Sequence, residues 1–229
     1  MTYLLSRTAA AFFTGAVLLA AAQAGTVQVS VTDPDGKPVA DVVVLISGSG
    51  KAPAAAASGP VVIAQQDLRF VPALTVVPVG ASVRFVNRDG FDHHVRSTPS
   101  GPLGNTPAVA TFEFRLDAAA GNAASATRKR NEPAAAEIKL ETAGPIGIGC
   151  HLHSSMRGQI YVSPTPWFGK TDASGVATVE GVPDGAVDLA LWHGDQLQPQ
   201  PVQHLQVGAV PAKAAAQLNF TPRRRARSI

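Results

Sequence analysis

The sequence predicts an all-β protein made of two β-sandwich or barrel units. Three observations carry that expectation. Charged residues make up only 15% of the 229 positions while Val and Gly are abundant, which argues against long charged helices. Short alternating or wholly apolar runs recur about every ten residues with turn residues between them, the pattern of sandwiches and barrels. The hydrophobic share of 45% is too high for a disordered, solvating chain.

The elements follow in chain order. Residues 1–24 read as a secretory signal peptide: Arg7 precedes an apolar stretch from Ala9 to Ala22, and Ala22-Gln23-Ala24 is a small-x-small cleavage site. The stretch is shorter than the roughly 20 residues a spanning helix needs, so the expectation is export with no stable membrane insertion after cleavage. An Ala-rich signal of this type suits a bacterial periplasm. Thr26 to Thr32 alternates and predicts a strand with one buried face. Asp33-Pro34-Asp35-Gly36 is a turn, and Pro38 to Ile46 predicts a second strand buried on both faces. Ser47 to Pro60 is rich in Gly, Ala, Ser and Pro and reads as a loop or linker.

A second block, 58–163, contains short strands at Val61–Ile63, Leu68–Val71, Leu74–Val79 and Ser82–Asn87, a loop into Asp92-His93-His94-Val95, turn residues from Ser97 to Pro107, and alternation at Thr111–Leu116 and Ile138–Glu141. Ala118 to Ala136, with Arg128-Lys129-Arg130, has no apolar period and reads as a surface excursion. Gln159–Val162 closes the block. A third block, 164–222, has strands at Val176–Val179 and Val187–Trp192, with two more at Val202–Val207 and Ala214–Phe220. Neither residues 25–57 nor residues 164–222 hold enough strands to cover two sheet faces alone, so the two are expected to form one sandwich interrupted by the middle block.

Charge gives little direction. The formal net charge is +3, but Arg223, Arg224, Arg225 and Arg227 lie in the basic tail 223–229, and without those four the rest of the chain stands at 3 − 4 = −1. No broad basic face is implied, and nucleic acid is not an expected partner.

The chemistry concentrates in Gly149-Cys150-His151-Leu152-His153-Ser154-Ser155-Met156. Cys150 is the chain's one cysteine, so no intramolecular disulfide can form. A single thiol in an exported chain is a liability unless it is buried, paired between chains or bound to a metal. Thiolate, imidazole and thioether fall within seven residues. Two His, one Cys and a weak axial Met are the donor set of a blue copper site. The spacing Cys150-x-x-His153-x-x-Met156 lets one tight loop between strands present three donors, and a distant His93 or His94 would complete the set. His151 is expected to point away, and His193 and His204 to be ordinary sandwich or surface histidines. Structural zinc takes four N or S donors without a thioether. No Walker, Gly-x-Ser-x-Gly or His-Glu-x-x-His motif occurs, and six histidines are too few for a multi-copper enzyme, so no enzymatic activity is expected.

Asn87-Arg88-Asp89-Gly90-Phe91-Asp92-His93-His94-Val95 resembles the first-histidine motif of the plastocyanin, amicyanin and pseudoazurin group of cupredoxins, and Cys150-x-x-His153-x-x-Met156 is similar to the short ligand loop of amicyanin. The likeness spans about Val61 to Val162 and implies a Greek-key β-barrel or sandwich with one copper ion held by His93, Cys150, His153 and Met156, His94 being the alternative to His93. His94 stands where the family usually has Asn, and Asp92 where it often has Pro. An Asn at the His94 position braces the ligand loop, and the His94 ring is expected to do the same. The whole layout resembles exported plastocyanin-like proteins labelled methylamine utilisation proteins. The flanking segments are similar to a carboxypeptidase-regulatory or transthyretin-like β-sandwich. The functional expectation is a periplasmic type 1 copper protein that passes single electrons between Cu(I) and Cu(II) to a redox partner protein. The alternative is a copper-binding chaperone or interaction module that serves assembly of a partner enzyme.

Overall fold

A computed structural model describes residues 24–50, 59–118 and 135–223. Residues 1–23 of the expected signal segment 1–24, Arg128-Lys129-Arg130 and the tail beyond Arg223 lie outside the described residues, and Ala24 is the first residue of a strand. The described chain is all-β, with sixteen strands in four sheets. None of its elements is a helix long and apolar enough to cross a membrane.

The first unit is made from both ends of the chain. Strand β1 (Ala24–Thr32) is the centre of a three-stranded sheet, antiparallel to β13 (Val176–Pro183) and parallel to β16 (Ala212–Gln217). A four-stranded sheet in the order β12-β2-β14-β15 faces it, built from β2 (Val43–Gly48), β12 (Trp167–Lys170), β14 (Gly185–Trp192) and β15 (Gln203–Val207). One face of each strand supplies the core between them: Val27, Val29 and Val31 from β1, Val44 and Ile46 from β2, Val179 from β13, and Val187, Leu189 and Leu191 from β14. Alternation puts these residues on one face because strand side chains repeat every two residues. Thr171 ties the two ends together. Its hydroxyl accepts from Val42 N at 2.9 Å and donates to Val39 O at 2.8 Å, so the chain after the middle unit is stitched to the chain before it.

The second unit lies wholly between residues 61 and 163. One sheet has the order β4-β3-β6-β9, from β3 (Val61–Gln66), β4 (Arg69–Val71), β6 (Ala81–Asn87) and β9 (Ala135–Leu140). The other has the order β5-β11-β10-β7-β8, from β5 (Leu74–Pro78), β7 (His93–Thr98), β8 (Glu113–Leu116), β10 (Gly144–Cys150) and β11 (Arg157–Ser163). Their shared core includes Ile63, Phe70, Val83, Phe85, Val95, Leu116, Ile146, Ile148 and Ile160, and Cys150 and Met156 belong to it as well.

Strand β2 is buried on both faces, and the reason lies in its neighbours. Val44 and Ile46 point into the first core, whereas Val43 and Leu45 form a third apolar cluster with Leu74 of β5. Val76, Tyr161, Phe168, Ala190 and Trp192 pack around that cluster, with the Tyr161 and Trp192 rings 4.8 Å apart. The outer face of one sandwich is therefore seated on the outer face of the other.

Several boundaries differ from the sequence expectation. Trp167–Lys170, which is not among the strands expected from sequence, is a strand paired with β2. The strand expected at Val176–Val179 runs on to Pro183, with Val182 and Pro183 opposite Gly25 and Ala24. Ala135 and Ala136, placed in the surface excursion, pair with Val86 and Phe85 and extend β9, because a strand edge there recruits them despite their weak β preference. Residues 119–134 of that excursion lie outside the described residues.

Candidate metal centre

His93 opens β7 and Cys150 ends β10, and these two strands are antiparallel neighbours with Cys150 opposite Val95. Register alone thus brings a residue from position 93 to one from position 150. After Cys150 the chain turns back tightly. Met156 N donates to His153 O at 3.0 Å and Cys150 N donates to Met156 O at 3.3 Å, closing a loop whose tip carries His153. Gly158, on β11 beneath the loop, leaves room for Ala73 O and the Ile148 side chain, from which a Cβ would be only 3.1 Å away.

Three donor atoms converge. Cys150 Sγ is 3.6 Å from His93 Nδ1 and 3.5 Å from His153 Nδ1, and the two imidazole nitrogens are 3.2 Å apart. Among the described residues this is the one group of three or more His, Cys, Asp or Glu whose donor atoms gather within 4.8 Å. The point equidistant from the three atoms lies about 2.0 Å from each, which matches metal–imidazole distances of about 2.0–2.1 Å and falls slightly short of about 2.3 Å for a thiolate. The donor set and triangle therefore fit an ion held trigonally by two nitrogens and one sulfur, and an ion binding there displaces the thiol proton.

The site is dry on one side and reachable on the other. His93 is 0% exposed, Cys150 5% and Met156 1%, whereas His153 is half-buried. Met156 lines a small cavity together with Cys150, Gly149 and His151. Phe91 was not singled out from sequence, yet its ring lies 5.3 Å from His93 and 5.2 Å from His153, covering both imidazoles. It is itself exposed, as is Leu152 beside His153.

Asp89 was also missed from sequence. Its Oδ2 lies 2.9 Å from His93 Nε2, and the carboxylate is buried. Burial pushes the His93 imidazole below its ordinary value, and the hydrogen bond and charge of Asp89 oppose that shift. Asn87 organises the loop in between: its Oδ1 accepts from Asp89 N at 2.9 Å, and its Nδ2 donates to Phe91 O and Asp117 O, both at 2.8 Å. Asp92 holds the far side, accepting from Arg115 at 2.6 Å and from Ala118 N at 3.0 Å.

The structure separates the two adjacent histidines. His94 points outward and pairs through Nε2 with Glu113 at 2.9 Å, and its ring sits 5.6 Å from that of exposed His151. The expected bracing of the ligand loop is present, but the backbone does it. His94 N donates to Cys150 Sγ at 3.4 Å and His94 O accepts from His151 N at 2.8 Å, so the ring identity at position 94 is free of that duty. His193 is buried in the first unit, where Nδ1 accepts from Asp195 N at 3.1 Å, and exposed His204 pairs with Asp188 at 2.6 Å.

No family model and no curated protein matches the chain. Among solved structures, similar chains are the reduced Cu(I) form of one amicyanin variant, the reduced state of a second and the oxidised state of a third. Each is 21% identical over 52% of this chain and 98% of its own length, with a TM-score of 0.33.

Proposed function

We propose that this chain is an exported blue copper protein that carries single electrons, and that His93, Cys150, His153 and Met156 would hold its one ion. The observation that supports it most is the buried triangle of two Nδ1 atoms and one Sγ at 3.2–3.6 Å. Copper held there supplies a one-electron couple. His93 and Cys150 are anchored on paired strands, so neither moves when the charge at the site changes. Phe91 and the apolar core behind Cys150 exclude water, which protects the thiolate. His153, on the accessible side between Phe91 and Leu152, gives the electron its exit toward a docked redox partner. A delivery role requires ligands that an acceptor can reach, and the burial of His93, Cys150 and Met156 works against it.

Purified mature protein loaded with Cu(II) is expected to be blue, with an intense thiolate-to-copper absorption, narrow hyperfine splitting and reversible reduction. Cys150→Ser removes the colour. A wild type that stays colourless and binds only zinc would sink this reading.

A further inference from the structure

We propose that Asp89 is the positioning residue of the metal centre, fixing His93 as the tautomer that carries hydrogen on Nε2 and leaves the Nδ1 lone pair facing Cys150 and His153. The inference rests on the metal-site reading above and extends it to a residue outside the ligand set.

The tautomer follows from counting donors. Asp89 Oδ1 accepts from Asp67 N at 2.7 Å, and Oδ2 accepts from Leu68 N at 3.2 Å. Each of its oxygens thus faces a backbone N–H, and as a carboxylate the side chain can act only as an acceptor. His93 Nε2, 2.9 Å from Oδ2, must then be the donor. A neutral imidazole with hydrogen on Nε2 has its lone pair on Nδ1, the atom 3.6 Å from Cys150 Sγ. A carboxylate behind a ligating imidazole also strengthens it as a donor.

The two N–H groups come from the turn between β3 and β4. Asp67 and Leu68 form a two-residue hairpin loop between paired Gln66 and Arg69, with φ of 53° and 57°. Both residues are left-handed, the type I′ pattern that usually takes Asn-Gly. Neither Asp nor Leu is a glycine, so the turn is held where its own sequence disfavours it, by its hydrogen bonds to Asp89. Two parts of the chain that sequence separates, the 67–68 turn and the 87–93 segment, thus meet on one carboxylate. The Asn87 side chain locks Asp89 N in place from below.

Asparagine cannot replace this function without cost. Whichever way its amide is turned, its NH2 faces a backbone N–H or the His93 Nε2–H. With the NH2 toward Asp67 N the turn contact is lost and the buried charge is gone; with it toward His93 Nε2, His93 would have to move its hydrogen to Nδ1, into the position of the metal.

Two measurements test the proposal. Nitrogen-15 NMR of the imidazoles in the metal-free wild type at neutral pH should show His93 with hydrogen on Nε2 and a bare Nδ1. Hydrogen on Nδ1, or an averaged mixture, overturns the proposal without reference to copper. In Asp89→Asn, copper affinity is expected to fall about 10- to 100-fold, more for Cu(II) than for Cu(I), so the reduction potential rises. A tenfold larger loss for Cu(II) corresponds to about 59 mV for a one-electron couple. A folded Asp89→Asn protein with wild-type affinity and potential also overturns it, and if that variant does not fold the NMR result decides. A wild type that shows the expected tautomer but no blue copper removes the electron-transfer reading and leaves Asp89 as the positioning group of a different metal site.

Discussion

Replacing His93 and His94 in turn separates two neighbours that differ in everything but residue type. In His93→Ala the buried Asp89 carboxylate loses its imidazole partner. Losing the hydrogen bond of a neutral imidazole to a buried carboxylate costs about 1.5–3 kcal/mol, and the cavity left by the ring puts this case near 3. At about 4 °C per kcal/mol for a unit of this size, the metal-free protein should melt about 12 °C lower. In His94→Ala the loss is a pair with exposed Glu113, about 0.2–1 kcal/mol and under about 4 °C, because solvent screens it. The backbone contacts of residue 94 to Cys150 and His151 survive the substitution. Calorimetry of the metal-free variants gives the two shifts, and absorption after Cu(II) addition gives the second readout: colour lost in His93→Ala and kept in His94→Ala. Equal melting shifts, or colour kept in the first variant and lost in the second, would refute the reasoning.

Three further outcomes are expected. Gly147→Ala should destabilise the middle unit by about 1–3 kcal/mol, seen as a lower urea midpoint, because its Cβ would sit 2.6 Å from Pro99 O and 2.9 Å from Thr98 O, backbone atoms that cannot give way. Leu68→Gly should raise the melting temperature by relieving about 1 kcal/mol of left-handed strain at an exposed side chain; a decrease would mean that the Leu68 side chain supports the fold. Tyr161 sits in the interface between the two units, and burial holds its phenol above the ordinary 10.0. Stability from that group is complete below pH 10.0 and is lost as the pH rises through the folded-state value, since the unfolded chain gives up the proton first. Urea midpoints measured across that range should fall in the wild type and less steeply in Tyr161→Phe.

Sequence made the fold legible where the signal was local. Thr26–Thr32 and Ser82–Asn87 alternate, and both are strands with one buried face. Trp167–Lys170 was not legible as a strand, since four residues between prolines and a turn carry no period, and its structure comes from pairing with β2, more than a hundred positions away. The parallel pairing of β1 with β16 has no local trace either. The same division runs through the site. Cys150, His153 and Met156 stand out because one loop carries them all, whereas His93 was preferred to His94 only through the family resemblance, and strand register gives their two faces. Asp89 escaped notice because its partners, the 67–68 turn and His93, converge only in three dimensions. An acidic residue four positions before a candidate ligand, inside a loop, was the one signal available. Phe91 left a fainter trace, as an aromatic two residues before His93.

The interrupted first unit sets an order of events for a chain that emerges from its N-terminus. Strand β1 ends up at the centre of its sheet, yet both its neighbours lie beyond residue 175, so its two edges stay bare until almost the whole chain has arrived. Bare Val-rich edges are templates for wrong pairing. The middle unit draws its core from residues 63–162 alone and can close first. As it closes, Val79 N donates to Ser163 O and Val61 comes opposite Val83, so its two ends leave from the same corner. The gap between Gly48 and Trp167 then shrinks from 118 intervening residues to an effective linker of about fifteen, a saving of roughly 1.5–2 kcal/mol in loop-closure entropy. The middle unit in this way works as a clasp that shortens the search of the two distant halves for each other.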